Sequence, residues 1–427
     1  MYLIIMGIVF VVMLVLGFPI YIALFGGSVA YMFLNPDLSM MMCMQKMMNA
    51  VNSFPLLAVP FFLFAGQVFN TGGITKRIFK FANHIVGHFK GGLGYVNIFS
   101  SVIFSGMSGS ALADVGGLGV IEVKAMRDAG YDDGFILGVT GASATVGPII
   151  PPSIPFVIYG AFANVSIGAL FMGGFIPGLI MALTLSIMVF ILSKKRNYPT
   201  AKRATFSEIW NSTKEAYLAL LTPIIIIGGM WTGFFTPTEA AFVSIVWGLI
   251  ISIFVYKELK FKDIARLMLE TIKLEAPATI VVVTAVLFGW IMNYEKFDQI
   301  IINALFGITT NKNLILLIIN IILLIMGMLL DPTAAIILLI PVLGPLTRVL
   351  GMNPIHFGVM MVLNLMIGLL TPPVGFSLYI LSTMTGYPID KIFKMVSPWL
   401  IPLVVALILV TYFPDLVLFL PKLFGIA

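Results

Sequence analysis

Residues 147–155 read GPIIPPSIP and residues 368–375 read GLLTPPVG, each in the middle of a long apolar run. A membrane helix should not continue through either stretch. Proline removes a backbone donor and its ring clashes with the preceding turn, while the nearby glycine adds slack. Each freed amide or carbonyl would cost on the order of several kcal/mol in hydrocarbon, so the breaks are expected to line a polar or water-filled cavity. They read as a binding site.

Both stretches belong to a larger repeat. Sliding the chain against itself by 221 residues places Gly106 on Gly327, Gly130 on Gly351, Gly147 on Gly368, Pro151 on Pro372, Pro152 on Pro373 and Pro177 on Pro398. The chain reads as two copies of one unit.

Composition sets the class. Of 427 residues 60% are apolar and only 10% charged, and the mean hydropathy is +1.09. This excludes a soluble globule and implies a polytopic membrane protein. The single cysteine, Cys43, excludes a disulfide framework and a cysteine metal cluster. A net charge of +6 does not point to nucleic acid, because the basic residues sit in short loops between apolar spans. The first 34 residues lack a basic start and a small-residue cleavage site, so they are expected to form a retained span and not a signal peptide.

Taken in order, residues 2–34 form an apolar stretch weakened at Gly17, Phe18 and Pro19, and a Met-rich segment follows at 38–50. Residues 54–70 span. Residues 72–90 carry Lys76, Arg77, Lys80, His84, His88 and Lys90 among Ile and Phe, an amphipathic arm at the interface. His84 and His88 stand four apart, but with no third ligand in view they read as a solvated face and not a metal site. Residues 92–125 approach SGMSGS at 105–110 and return to Glu122, Lys124 and Arg127. Neither arm comfortably reaches the ~20 residues of a span, which predicts a re-entrant hairpin. A broken helix at 134–163 and a span at 168–193 complete the first half.

The second half opens with spans at 216–233 and from the turn TPTEAA (236–241) to about 256. A charged amphipathic segment at 257–275, a span at 277–293 and an arm at 294–310 follow. A second hairpin at 313–349 is interrupted by Gly327 and by Asp331, Pro332 and Thr333. A broken helix at 354–386 and a span at 396–420 end the chain. Loops assigned to one side hold 19 of the 24 Lys and Arg, which places them in the cytoplasm. The two hairpins therefore enter from opposite sides, and the copies are inverted.

Inverted repeats with paired hairpins and discontinuous helices are the physical signature of a secondary transporter whose site lies between the repeats. No Lys or Arg lies in either hairpin tip or either break. An anion would have to be held by half-helix ends, hydroxyls and a co-transported cation, and sodium suits unwound carbonyls and side-chain oxygens. The sodium candidates are Ser105, Gly106, Ser108, Ser110, Gly147, Ile150 and Pro151 in the first half, with Gly327, Asp331, Gly368, Thr371 and Val374 in the second. Ser108, Pro152, Ser153, Pro332, Thr333 and Pro373 are the candidates to line the solute. Proton coupling would instead use Asp114, Asp331 or Glu239, although Thr236, Pro237 and Glu239 also read as a helix start. Enzyme chemistry finds no support: no Gly-Xaa-Ser-Xaa-Gly elbow, spanning histidine pair or phosphate loop is present, and SGMSGS lacks the lysine of a P-loop. No cofactor is expected beyond sodium as coupling ion.

Taken together, SGMSGSALAD, GPIIPPSIP, GFFTPTEAA and LLTPPVGF resemble, in order and over nearly the whole chain, the large membrane subunit of tripartite ATP-independent periplasmic (TRAP) transporters. The resemblance implies a sodium-driven elevator of the ion-transporter superfamily, multi-pass in a bacterial inner membrane, with two sodium sites at the tips and breaks. It implies two partners, a small four-span membrane subunit, expected as a separate chain, and a soluble periplasmic protein that delivers substrate. The solute would be a carboxylate, sialic acid first and a C4-dicarboxylate next. On this map 1–91 holds scaffold helices and the arm, 92–166 the first transport repeat, 167–312 scaffold helices and the second arm, 313–388 the second transport repeat, and 389–427 a terminal scaffold helix. The alternatives are an autonomous sodium and anion symporter, and a channel or non-transporting scaffold.

Overall fold

The computed structural model describes every residue except Asp37, Asn197 and Ala427. It is helical, with no strand among the described residues, and eight of the described helices are long and apolar enough to cross a membrane. Both breaks form where the proline pairs stand. The first helix runs over Asp133–Ala144, gives way to irregular chain at 145–153, and resumes as Ile154–Ala163. The second runs over Pro354–Gly368 and resumes as Phe376–Thr385. A lone proline is not enough. Pro177, Pro223, Pro277, Pro341 and Pro345 all lie inside continuous helices, where neighbouring groups re-satisfy the lost hydrogen bond. A Pro–Pro pair removes two donors, and the second ring bars the first proline from the helical region. Both Pro–Pro bonds, at 151–152 and 372–373, are cis.

The hairpins repeat with the same register. Gly92–Ser108 turns at Gly109 and returns over 111–128; Lys312–Leu329 turns and returns as Pro332–Val349. Shifted by 221, the first return arm coincides with the second end for end. Gly109 adopts a left-handed φ of +61°, which a side chain would strain. Ser110 and Asp331, matching positions in the two copies, each cap the return arm by accepting backbone N–H groups.

The copies interlock. Each hairpin's leading arm packs on the first part of its own broken helix, and its return arm packs on the second part of the other copy's. The helices leading into the breaks lie at the centre, with every residue from Phe135 to Ala144 and from Ile355 to Gly368 buried. A helix enclosed on all sides must be apolar or self-satisfied all round, which is how these segments read. Around them stand Phe54–Thr71 against Pro237–Val255, Phe206–Trp231 against the arm Ile74–Val86, and Phe261–Tyr294 along the second hairpin. Thr205 with Glu208 and Thr236 with Glu239 form capping boxes, so Glu239 is a helix start.

Several expectations need correcting. Residues 2–34 do not make one span but two helices packed together, Tyr2–Val15 and Ile20–Leu34, because the chain turns at Gly17 with φ +83°. The segments 257–275 and 277–293 are one helix of 34 residues, Phe261–Tyr294, running through Pro277. The final span stops at Tyr412, and Asp415–Leu423 is separate. The second hairpin's arms, at 18 residues each, are long enough to cross by length and composition. Ile167–Arg196 lies against the first break, where Gly174 and Gly178 leave room: a Cβ on either would sit 2.3 Å from the Ile149 carbonyl or the Ile150 side chain.

Candidate functional site

The first junction gathers most of its expected residues. The Ile154 N–H donates to the Gly109 carbonyl at 3.2 Å, tying the hairpin tip to the resumed helix. A Cβ on Gly109 would sit 2.7 Å from the Pro152 carbonyl oxygen, and one on Gly147 3.6 Å from Ser105 Oγ. Ser105 donates to the Ser101 carbonyl, and Ser153 donates to the Pro148 carbonyl while accepting from Phe156 N–H as helix cap. The carbonyls of Gly147, Ile150 and Pro151 accept no hydrogen bond among the described residues. Such oxygens are hard ligands and fit sodium in kind. Ser108 is buried with an unpartnered hydroxyl and packs on Gly66 of Phe54–Thr71. Gly106 departs from the expectation. Its open side faces Pro223 of Phe206–Trp231, 2.5 Å from a would-be Cβ, so it serves the contact with the outer helices and does not face the break.

In the second junction the backbones themselves touch. A Cβ on Gly368 would lie 2.4 Å from the Gly327 carbonyl carbon, so both glycines are there for close approach. The Val374 N–H donates to the Met328 carbonyl at 3.2 Å, again tying hairpin to break. Thr371 Oγ1 donates to the Ile367 carbonyl at 3.1 Å, and the Thr371 and Val374 carbonyls accept no hydrogen bond among the described residues. Asp331 Oδ1 accepts from Thr333 N–H at 2.9 Å, with Pro332 in the first turn. Here the break is open: Pro373 is exposed, and Pro332, Thr333 and Val374 are half-buried, whereas Pro151, Pro152 and Ser153 are buried.

Behind the first junction lies a network that the sequence reading missed. Asn97 Nδ2 donates to Glu122 Oε2 at 2.7 Å and to Thr140 Oγ1 at 2.9 Å, while Asn97 Oδ1 accepts from Ser143 Oγ at 2.6 Å. Asp114, also buried, lies in the same interior. Glu122 is therefore buried and does not mark the exposed end of the hairpin, as its place beside Lys124 and Arg127 had suggested. The signal was legible: Asn97, Ser101 and Ser105 recur at helical spacing on one face. The second copy has a smaller counterpart, with Asn364 Nδ2 donating to Asn320 Oδ1 at 2.7 Å and Asn320 Nδ2 to Thr411 Oγ1 at 3.2 Å. Asn364 stands where Ser143 does in the first copy.

At the end assigned to the cytoplasm, one polar contact joins the two copies and others tie the first copy to itself and to the segment that follows it. Asp133 accepts from Tyr387 Oη at 2.6 Å and Arg127 Nε at 2.9 Å, and Asp132 accepts from Arg196 and Tyr198. Partial burial pulls both carboxyls upward, but these donors outweigh it and hold each below the usual carboxylate range. His84 and His88 gather no third ligand, and no group of three metal-binding side chains occurs among the described residues.

Comparison with known proteins agrees with this architecture. The family model of the DctM component of tripartite ATP-independent periplasmic transporters matches residues 7–416. The sialic acid TRAP transporter large permease protein SiaM of Vibrio cholerae is 45% identical over 408 residues, 96% of each chain. The sialic acid TRAP transporter permease protein SiaT of Haemophilus influenzae is 41% identical over 97% of this chain and 67% of its own length. The C4-dicarboxylate large permease protein DctM of Pseudomonas aeruginosa is 36% identical over 94% of each chain. Among solved structures, the YdaH transporter of Alcanivorax borkumensis aligns with a TM-score of 0.64 at 13% identity, covering 86% of each chain, and MtrF of Neisseria gonorrhoeae with 0.61 at 10%, covering 86% of this chain and 82% of its own. At that identity they speak for the fold alone. Inverted hairpins, twin breaks and a near full-length match thus converge: the chain belongs to the DctM family, the large permease component of TRAP transporters, and is a multi-pass membrane protein.

Proposed function

We propose that this large permease imports a carboxylate solute together with sodium, by an elevator movement of the two copies against the outer helices, in a bacterial inner membrane. Sialic acid is the favoured solute and a C4-dicarboxylate the next. The observation that carries the reading is the pair of junctions, where hairpin tip and helix break meet, free carbonyls and hydroxyls cluster, and no Lys or Arg intrudes. A cation suits such oxygens, and it would supply the positive charge that an anionic solute needs. The sodium candidates are those of the sequence reading, less weight falling on Gly106. The moving body comprises the two hairpins and the two broken helices, within 92–166 and 313–388, and the remaining helices are the scaffold. A small membrane subunit and a periplasmic binding protein complete the transporter, and no catalytic role is assigned.

The test is uptake of labelled sialic acid, and of labelled succinate, into proteoliposomes under an inward sodium gradient, with and without both partners. Sialic acid uptake that needs the gradient and all components supports the reading. Uptake by this chain alone would make it an autonomous symporter, uptake of succinate only would change the solute, and gradient-independent flux would contradict sodium coupling.

A further inference from the structure

Glu122 is 1% exposed, inside the first hairpin, and is not paired with a Lys, Arg or His among the described residues. Its Oε2 accepts one hydrogen bond from Asn97, and its Oε1 has no partner. A second acid, Asp114, is 2% exposed on the same return arm. Eight residues apart on a straight helix, the two would sit about 80° out of line; the π turn at Asp114–Leu118 absorbs roughly one residue and brings them to within about 20° of one face. Two interior carboxylates then share one side of a helix with no countercharge, an arrangement in which both cannot be ionised.

The groups around Glu122 offer it no countercharge. Gly92–Ser108 presents Asn97, Asp133–Ala144 presents Thr140, and the π turn presents Asp114. On its own helix Lys124 is exposed and Arg127 is engaged by Asp133. Ser143 Oγ donates to Asn97 Oδ1 at 2.6 Å, and Ser101 Oγ donates to Ser143 Oγ at 3.3 Å. One neutral amide donor does not balance the charge of a carboxylate buried among such groups. Glu122 has one amide and a bare oxygen.

The fold does not require an acid there. At the matching positions of the second copy stand Leu343 and Ala335, equally buried. We propose that Glu122 is a proton-binding site of the first repeat, holding its proton at neutral pH between the hairpin arms and the first broken helix, apart from the tips and breaks. The site reads proton concentration from within the body that the two copies form. It does not depend on which solute or coupling ion is carried.

The test is infrared spectroscopy of the full chain in lipid at neutral pH, reading the C=O stretch of a protonated carboxyl. Glu122→Gln should abolish a band that Asp114→Asn leaves in place, and Glu122→Leu, which copies the second repeat, gives the same loss in case glutamine folds poorly. Asn97→Ala should shift the band's frequency. A spectrum unchanged in both Glu122 variants, or a band lost only in Asp114→Asn, would overturn the assignment.

Discussion

The two copies share a backbone and differ in chemistry. Return arms coincide under the 221-residue shift, both tips carry a capping side chain, and both hairpins are tied to their break by one backbone hydrogen bond at 3.2 Å. Yet the first break is sealed and backed by a polar network, while the second is open and held by direct backbone contact between Gly327 and Gly368. The repeat therefore supplies geometry, and each copy's interior decides what that geometry is used for.

The largest effect should come from the backbone contact. Gly368→Ala places a methyl 2.4 Å from the Gly327 backbone, which cannot give way. Gly147→Ala meets the Ala144 carbonyl at 3.1 Å, Ser105 Oγ at 3.6 Å and the Ser110 backbone at 3.8 Å. Overpacking of the first kind costs about 1–3 kcal/mol or more, so Gly368→Ala should lower the thermal midpoint and uptake well beyond Gly147→Ala. Equal loss in both would mean that the junctions are alike after all. Next comes the network. Asn97→Ala removes three hydrogen bonds and Asn364→Ala two, both to Asn320. At about 1–3 kcal/mol for orphaned buried partners, Asn97→Ala should destabilise more in a melting experiment.

Smaller and more specific is the ion dependence. If Ser108 and Thr371 serve the cation, alanine at either should raise the sodium concentration for half-maximal uptake severalfold with the protein still folded; a shift in only one would confine the site to that copy. The smallest effect is on pH stability. Asp132 and Asp133 titrate below their ordinary value, so the stability they lend is full above about pH 4 and is lost as the pH falls through the lowered value. Melting midpoints should drop there, and Asp133→Asn should flatten part of the drop.

Much of this was legible beforehand for a physical reason. Pro–Pro in an apolar run has one outcome whatever packs around it, and so does Thr-Pro-Thr-Glu at a helix start. What could not be read depended on neighbours. Pro277 looked like a boundary but lies in a continuous helix, and Glu122 looked exposed because its neighbours Lys124 and Arg127 are. Gly106 and Gly327 match by spacing, yet one gives room to Pro223 and the other to Gly368. Spacing reports that a glycine is needed, not what approaches it.

The central claim is that these two unlike copies move as one body against the outer helices. Spin labels at Lys124→Cys on the first hairpin and Lys262→Cys at the start of Phe261–Tyr294, both exposed, read that movement once the buried Cys43 is replaced. Two distance populations are expected, with a ratio that shifts on adding sodium with solute, while a pair at Lys124 and Thr383, both in the moving body and exposed, stays fixed. One unchanging distance for the first pair, or a change in the second equal to it, would contradict it.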